Sequence, residues 1–291
     1  MSLTLKLTTE MKKSIILATL LFFACLGANA QDPSYEIKVG DVTMKIDAEK
    51  GAKILSCTYA GKEVISQMNV PNWFGSTFWT SPQKEWNWPP VPEHDSSPYT
   101  VEEKDGAIIM TSSLSEKIPL RIRKKFSTDE VDNAIVIEYS IINESGAQRK
   151  VAPWEITRVP AEGGTVLFEA PVESIWPENL MAFNNENGVA WYSFDEAQRN
   201  RKVNADGKGW LAYAGNGLLL VKKFEDIPAD APAPGEAEVQ VYVNRGNTYV
   251  ELESQGAYKT LENGESLSWT VRWYLSPLDT TDISEIIAKL K

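Results

Sequence analysis

From residue 42 onward, apolar and polar side chains alternate with a period of two in one segment after another, and that pattern predicts strands. The first are 42–46 and 51–59, followed by a turn at Ala60-Gly61-Lys62 and a short return over 63–65. Strands over 107–114, 120–126 and 134–142 follow, joined by short polar turns as antiparallel neighbours. The second half adds 151–159, 165–169, 189–193, 209–214, 218–224, 239–243, 249–253 and 267–275. Asp206-Gly207 and Asn216-Gly217 are turn signals between them. A helical period occurs once, near the end. Ile283, Ile286, Ile287 and Leu290 fall at i, i+3, i+4 and i+7, behind a capping pair of Asp282 and Glu285. More than a dozen strands with no alternating helices predict an all-β fold, a large antiparallel sandwich or barrel with one C-terminal helix. The loop 228–235, PADAPAPG, is extended, but strands resume after it, so 31–291 reads as a single domain. No Walker or G-x-G-x-x-G sequence is present, which argues against nucleotide chemistry and predicts no organic cofactor.

One stretch breaks the pattern. Residues 72–90, NWFGSTFWTSPQKEWNWPP, hold Trp73, Trp79, Trp86 and Trp88, four of the ten tryptophans, with no helix or strand period. Two readings stand. The segment is a lid whose tryptophans are buried against the core, or it is an aromatic platform for a flat ligand such as a sugar ring. Indole faces offer large contact area at low entropic cost, and the indole N–H adds a directional donor.

The N-terminal residues are expected to be an address rather than part of the fold. Lys12 and Lys13 precede an apolar run over 15–28, and Ala28-Asn29-Ala30 completes a secretory signal pattern over 1–30. The run is shorter than the roughly 20 residues of a membrane span. An exported protein, periplasmic or extracellular, is expected; lipid anchoring through Cys25 is the lesser alternative, because Phe22-Phe23-Ala24 is a poor lead-in. No later segment is apolar enough for stable membrane insertion, and a monomer is expected. The formal net charge of −11 disfavours nucleic acid and anionic lipid as partners. With Cys25 in the signal, Cys57 stands alone, and its strand pattern predicts a buried, inert thiol. One histidine and one buried cysteine do not make a zinc site, and no metal is expected.

Two further stretches resemble a known family. In 42–65, an alternating strand leads through Lys50-Gly51-Ala52 to a strand ending Cys57-Thr58-Tyr59 and then to Gly61-Lys62-Glu63. In 250–275, Glu251-Leu252-Glu253-Ser254-Gln255 is followed by a leucine, Asn263-Gly264-Glu265 and an aromatic-rich closing strand. Their order and separation resemble the galactose mutarotase (aldose 1-epimerase) superfamily. The middle, with PQKEWNWPP and Ala152-Pro153-Trp154-Glu155-Ile156-Thr157-Arg158, looks closer to a secreted bacterial branch than to the true mutarotases. The resemblance implies an antiparallel supersandwich of two large twisted sheets, with a sugar cleft on one concave face. It also implies a general base at Glu253, the glutamate of the family's glu-thr-gln segment, and a histidine acid in the middle of the chain.

That histidine is absent. The chain has only His94, just after the aromatic stretch, where it reads as a solvated loop residue or a bond to a sugar hydroxyl. Its neighbours Asp95 and Ser96 are too close in sequence to form a hydrolytic triad with it. Glu155 is the candidate acid, provided burial raises its pKa; arginine holds its proton too tightly. Glu155 and Glu253 would also suit glycoside hydrolysis on paper. The expected ligand is a neutral mono- or oligosaccharide. Its candidate contacts are Trp79, Gln83, Trp86, Trp88, His94, Trp154, Arg158 and Gln255. Three functions are therefore weighed: a carbohydrate-binding protein, an aldose 1-epimerase-like enzyme, and a hydrolase or lyase accessory domain. The basic run 121–125, RIRKK, reads as a solvated outer face, with a local basic patch for an acidic sugar as the alternative, and Arg199, Arg201 and Lys202 read the same way.

Overall fold

The computed structural model describes residues 34–68, 73–246 and 248–290. The signal-peptide segment 1–30 and Cys25 lie outside the described residues. In chain order the strands begin β1 (Ser34–Val39), β2 (Val42–Asp47), β3 (Lys53–Tyr59), β4 (Lys62–Glu63) and β5 (Ser76–Ser81). The helix α1 (Pro92–Asp95) precedes β6 (Thr100–Lys104), β7 (Ala107–Thr111), β8 (Leu120–Asp129), β9 (Ala134–Asn143) and β10 (Arg149–Pro160). There follow β11 (Thr165–Glu169), β12 (Asn184–Glu186), β13 (Val189–Ser193), β14 (Arg201–Ala205) and β15 (Trp210–Gly215). The last are β16 (Leu218–Lys223), β17 (Val239–Val243), β18 (Tyr249–Gln255), β19 (Lys259–Leu261), β20 (Ser266–Pro277) and the helix α2 (Ile283–Leu290).

These strands form two ten-stranded sheets. The first runs β1-β2-β3-β5-β10-β18-β17-β14, with β4 and β19 pairing at its side; the second runs β12-β13-β11-β15-β16-β20-β9-β8-β7-β6. Most strands therefore have partners on both sides, and the inner faces supply a continuous apolar core. Phe78 of β5 stacks on Tyr139 of β9 at 4.4 Å between ring centres, joining the two layers. The helix α2 inserts Ile286 and Ile287 against Leu167, Ala212 and Leu219, covering part of the second sheet's other face. Its i, i+3, i+4, i+7 stripe is the contact surface, as the sequence predicts.

The aromatic stretch is not irregular throughout. Residues 76–81 are a central strand, β5, bonded to β3 and β10 and buried at all six positions. A strand covered on both faces has no polar side to alternate, so its period of two disappears from the sequence. The strand β14 is also missing from the predicted set, and it carries a residue of the site described below.

Lysines cross the interior. Lys124 of β8 reaches the other layer, donating to the carbonyls of Gly51 (2.7 Å) and Ala52 (3.1 Å). Burial lowers its pKa to about 7. The basic run 121–125 is thus not uniformly a solvated face: Arg121 pairs with Glu144 at 2.9 Å, whereas Lys124 points inward. Cys57 is buried, and burial pushes its thiol pKa up, leaving it unreactive. Gly51 sits at φ +69°, and a Cβ there would lie 2.1 Å from the carbonyl oxygen of Asp95. Gly51→Ala is expected to lose about 1–2 kcal/mol from the positive φ alone, and more from displacing α1. Urea unfolding measures the loss, and a variant as stable as the parent would refute this account.

Candidate functional site

Strand alternation in the first sheet sorts the candidate residues onto two faces. In β10, Trp154, Ile156 and Arg158 face outward, and Glu155 and Thr157 face the second sheet. The register places Trp154 opposite Trp79, Ile156 opposite Glu253, and Arg158 opposite Glu251. Tyr242 lies beside Glu251 and opposite Lys202. These pairings bring side chains from β5, β10, β14, β17 and β18 to one outer face. There they border a cleft of about 530 Å3.

One wall of the cleft is tryptophan. Trp73 and Trp88 stack at 4.5 Å with 23° between their planes, and Trp88 is 56% exposed. Trp79 meets Trp88 edge-on at 6.2 Å and Trp154 edge-on at 5.3 Å. Behind them Trp86 is buried and donates its indole N–H to the Thr80 carbonyl at 2.8 Å. The rings of the aromatic stretch therefore divide by burial. Trp86 is core, whereas Trp88 is exposed and stacks on the partly buried Trp73. The opposite wall is polar, with Asn200, Lys202, Tyr242, Asn244 and Arg245, and Gln83 joins the lining from the tryptophan side.

The floor carries charge. Glu253 is buried, and its Oε2 accepts from Trp154 Nε1 at 2.8 Å and Lys202 Nζ at 2.8 Å. Lys202 Nζ also lies 4.7 Å from the centre of the Trp154 ring. Burial raises the pKa of Glu253; Lys202 opposes that shift and Glu251 adds to it, leaving the carboxyl above its ordinary value. Glu251 is held by Arg158 at 2.7 Å. The guanidinium of Arg158 sits 5.7 Å from the Tyr249 ring centre and bonds the Phe74 carbonyl at 3.3 Å. Arg158 is itself 1% exposed, so it braces the floor from below instead of lining the cleft.

Of the sequence candidates, Trp79, Gln83, Trp88, Trp154 and Glu253 line the cleft. Gln255 is buried beside it, donating to Glu236 at 3.1 Å and Gln240 at 3.2 Å. His94 lies elsewhere. It belongs to α1, is 1% exposed, and its Nε2 sits 2.9 Å from the Leu120 carbonyl oxygen, so it is no solvated loop residue. Burial, only partly offset by that carbonyl, lowers its pKa. Glu155 is not brought together with Glu253. It projects from the opposite face of the sheet, where Lys222 Nζ lies at 2.7 Å and Tyr139 and Trp273 donate at 3.0 and 3.1 Å. The two carboxylates cannot straddle one bond, because adjacent positions on a strand alternate sides and the sheet lies between them.

Sequence reasoning missed Lys202, Tyr242, Tyr249 and Glu251. Glu251 and Tyr249 were available by counting back two and four residues from Glu253, since a strand repeats its faces every second residue. No local signal marks Lys202, whose place depends on β14 pairing with β17. Neighbouring support for the cleft comes from Asp95 of α1. It accepts from Trp79 Nε1 at 2.8 Å, Thr77 Oγ1 at 2.9 Å and Lys53 Nζ at 3.0 Å, fixing the Trp79 ring. Among the described residues, no group of three His, Cys, Asp or Glu side chains is placed to hold a metal ion. None of the helices there is long and apolar enough to cross a membrane.

No family model matches the sequence, and no curated protein matches it. Solved structures do match the fold. A putative aldose 1-epimerase from Escherichia coli K12 gives a TM-score of 0.62 at 10% identity, over 84% of this chain and 99% of that one. A galactose mutarotase-like protein from Lactobacillus casei gives 0.58 at 13% identity, over 84% and 100% of the two chains. A third, from Clostridium acetobutylicum, gives 0.56 at 10% identity, over 86% and 96%. At such low identity the likeness is one of overall architecture. This chain has the galactose mutarotase-like fold.

Proposed function

We propose that this protein is an exported carbohydrate-binding protein that takes a neutral mono- or oligosaccharide in the tryptophan-walled cleft. One observation carries the reading: an open pair of stacked indoles faces a wall of amide, hydroxyl and ammonium groups across about 530 Å3. Aromatic faces cover the C–H face of a pyranose while side-chain donors and acceptors take its hydroxyls. The sugar-related names of proteins sharing this fold support the same ligand class. Export rests on the residues Lys12-Lys13, the apolar run and Ala28-Asn29-Ala30, and sequencing the N-terminus of the mature protein tests it.

Titration calorimetry with neutral mono- and oligosaccharides tests binding. Trp88→Ala is expected to weaken a bound sugar by about 1 kcal/mol, roughly fivefold in Kd. Its folding should be unchanged, because the ring is more than half exposed. Trp86→Ala instead should cost about 3–5 kcal/mol of stability as a core deletion. Failure to bind any such sugar, or binding indifferent to Trp88, defeats the reading. A second reading, an aldose 1-epimerase-like isomerase, is favoured by Glu253, a buried carboxylate of raised pKa on the cleft floor.

A further inference from the structure

We propose that the cleft is built for an oligosaccharide and holds at least two linked sugar units at once, one on Trp88 and another against Tyr242 and Tyr249. This rests on the sugar-binding reading above and names its ligand class.

The length of the lining carries the inference. Trp79, Trp154 and Gln255 stand opposite one another in register across β5, β10 and β18. Tyr249 opens the same strand β18, six residues before Gln255, and so lies about 20 Å along it at the ordinary rise per strand residue. Asn244 donates its backbone N–H to the Tyr249 carbonyl at 3.2 Å, which places it at that same far end. Trp79, Tyr249 and Asn244 nonetheless border one cleft of about 530 Å3. Covalent bonds of about 1.5 Å make a pyranose ring with its hydroxyls roughly 6 Å across. Side chains that lean inward shorten the span, but one ring does not reach from end to end.

Each end has an aromatic surface of its own. At one end the exposed Trp88 stacks on Trp73. At the other, the rings of Tyr242 and Tyr249 lie 6.5 Å apart, tilted by 35°. Polar groups collect around the tyrosines. The Tyr242 hydroxyl donates to Asn244 Oδ1 at 3.4 Å, and Asn244 Nδ2 donates to Thr248 Oγ1 at 2.7 Å. The tip of the β17–β18 hairpin is anchored to the segment before β14. The Arg245 N–H donates to Asn200 Oδ1 at 3.1 Å, and the Gly246 N–H donates to the Ala197 carbonyl at 2.8 Å. The far end is thus formed in advance, which lowers the ordering cost of using it. Between the two surfaces, Lys202 Nζ lies 4.7 Å from the centre of the Trp154 ring and 2.8 Å from Glu253 Oε2. A chain laid along the cleft crosses this pair, and the ammonium can donate to hydroxyls of the units on either side. A second unit linked to the first binds without a second loss of translational freedom, so affinity rises with chain length.

Calorimetry on the mature protein tests this with glucose and its cello- and malto-oligosaccharides of two to four units. Xylose, mannose and galactose are tested beside their own β-1,4-linked series. Within a series that binds, the trisaccharide is expected to bind at least about tenfold more tightly than its monosaccharide. Tyr242→Ala and Asn244→Ala should each weaken the trisaccharide about fivefold more than the monosaccharide. Both ligands are measured on the same variant, so a folding defect lowers them together and leaves their ratio unchanged. Tyr242→Phe, which removes only the hydroxyl, supplies the comparison where Tyr242→Ala does not fold. Equal affinity for one unit and for three overturns this inference and leaves the binding reading intact. A gain with chain length that survives both far-end substitutions overturns the second subsite, and the inference with it. Absence of binding throughout removes the binding reading and this inference together.

Discussion

Replacing Lys222 by methionine is expected to lower the unfolding free energy by about 3–5 kcal/mol. Lys222 of β16 and Glu155 of β10 are both fully buried and meet at 2.7 Å between the two sheets. The ammonium also reaches Thr157 Oγ1 at 3.0 Å, and the carboxylate takes bonds from Tyr139 and Trp273. A buried ion pair adds little net stability over apolar residues of the same shape, because desolvation opposes the attraction. Removing one partner is different, since the other charge stays behind in the core. Glu155→Gln should therefore also be strongly destabilising. Joining it to Lys222→Met should restore about 1–3 kcal/mol relative to the sum of the single effects. Urea unfolding of the four proteins gives the coupling energy. Lys222→Met within about 0.5 kcal/mol of wild type, the range of ordinary surface changes, would show that the pair is not a buried charge pair.

Asp95→Ala should have an effect of similar size, about 3–5 kcal/mol, with a second consequence at the cleft. It takes the Asp95 carboxylate away from Lys53, which is 1% exposed, and releases Trp79 Nε1 and Thr77 Oγ1. A freed Trp79 loses its fixed angle to Trp88 and Trp154, so sugar binding should weaken along with folding. The pH dependence identifies the charge. Burial alone would raise the pKa of Asp95, but Lys53 and the donors Trp79 and Thr77 outweigh it and hold the carboxyl below its ordinary value. A depressed folded pKa means that the unfolded chain binds the proton first as pH falls. The stabilisation is thus complete above the unfolded value of about 3.9 and is lost as pH drops through the folded one. Asp95→Asn keeps the shape without the charge. Its stability deficit should be full near neutral pH and shrink below about pH 4. A deficit that stays constant down to pH 2 would mean that shape alone matters.

The cleft shows where local pattern loses its power. Glu155 and Glu253 both looked suitable from the sequence, one by position near the family's acid and one by motif. They stand on adjacent paired strands, yet a one-residue difference in register puts them on opposite sides of the sheet. Glu155 is then a core charge that closes on Lys222, a residue 67 positions away in sequence. The tryptophans show the converse. Their density in 72–90 falls beside the cleft, but does not tell which rings are open. Trp86 and Trp88 are two residues apart, and one is 1% and the other 56% exposed.

The sequence by itself determined the all-β class, the C-terminal helix and most strand positions. Each of these follows from periodicity within a few consecutive residues, which needs no partner to be read. Only the tertiary structure decided that β5 is a central strand, because burial on both faces erases the alternation that would announce it. It alone joined Lys202 to Glu253 across β17, and it alone withdrew His94 and Glu155 from the cleft. Those outcomes depend on which strands pair and in what register, and pairing between distant segments leaves no mark in the local alternation of either one.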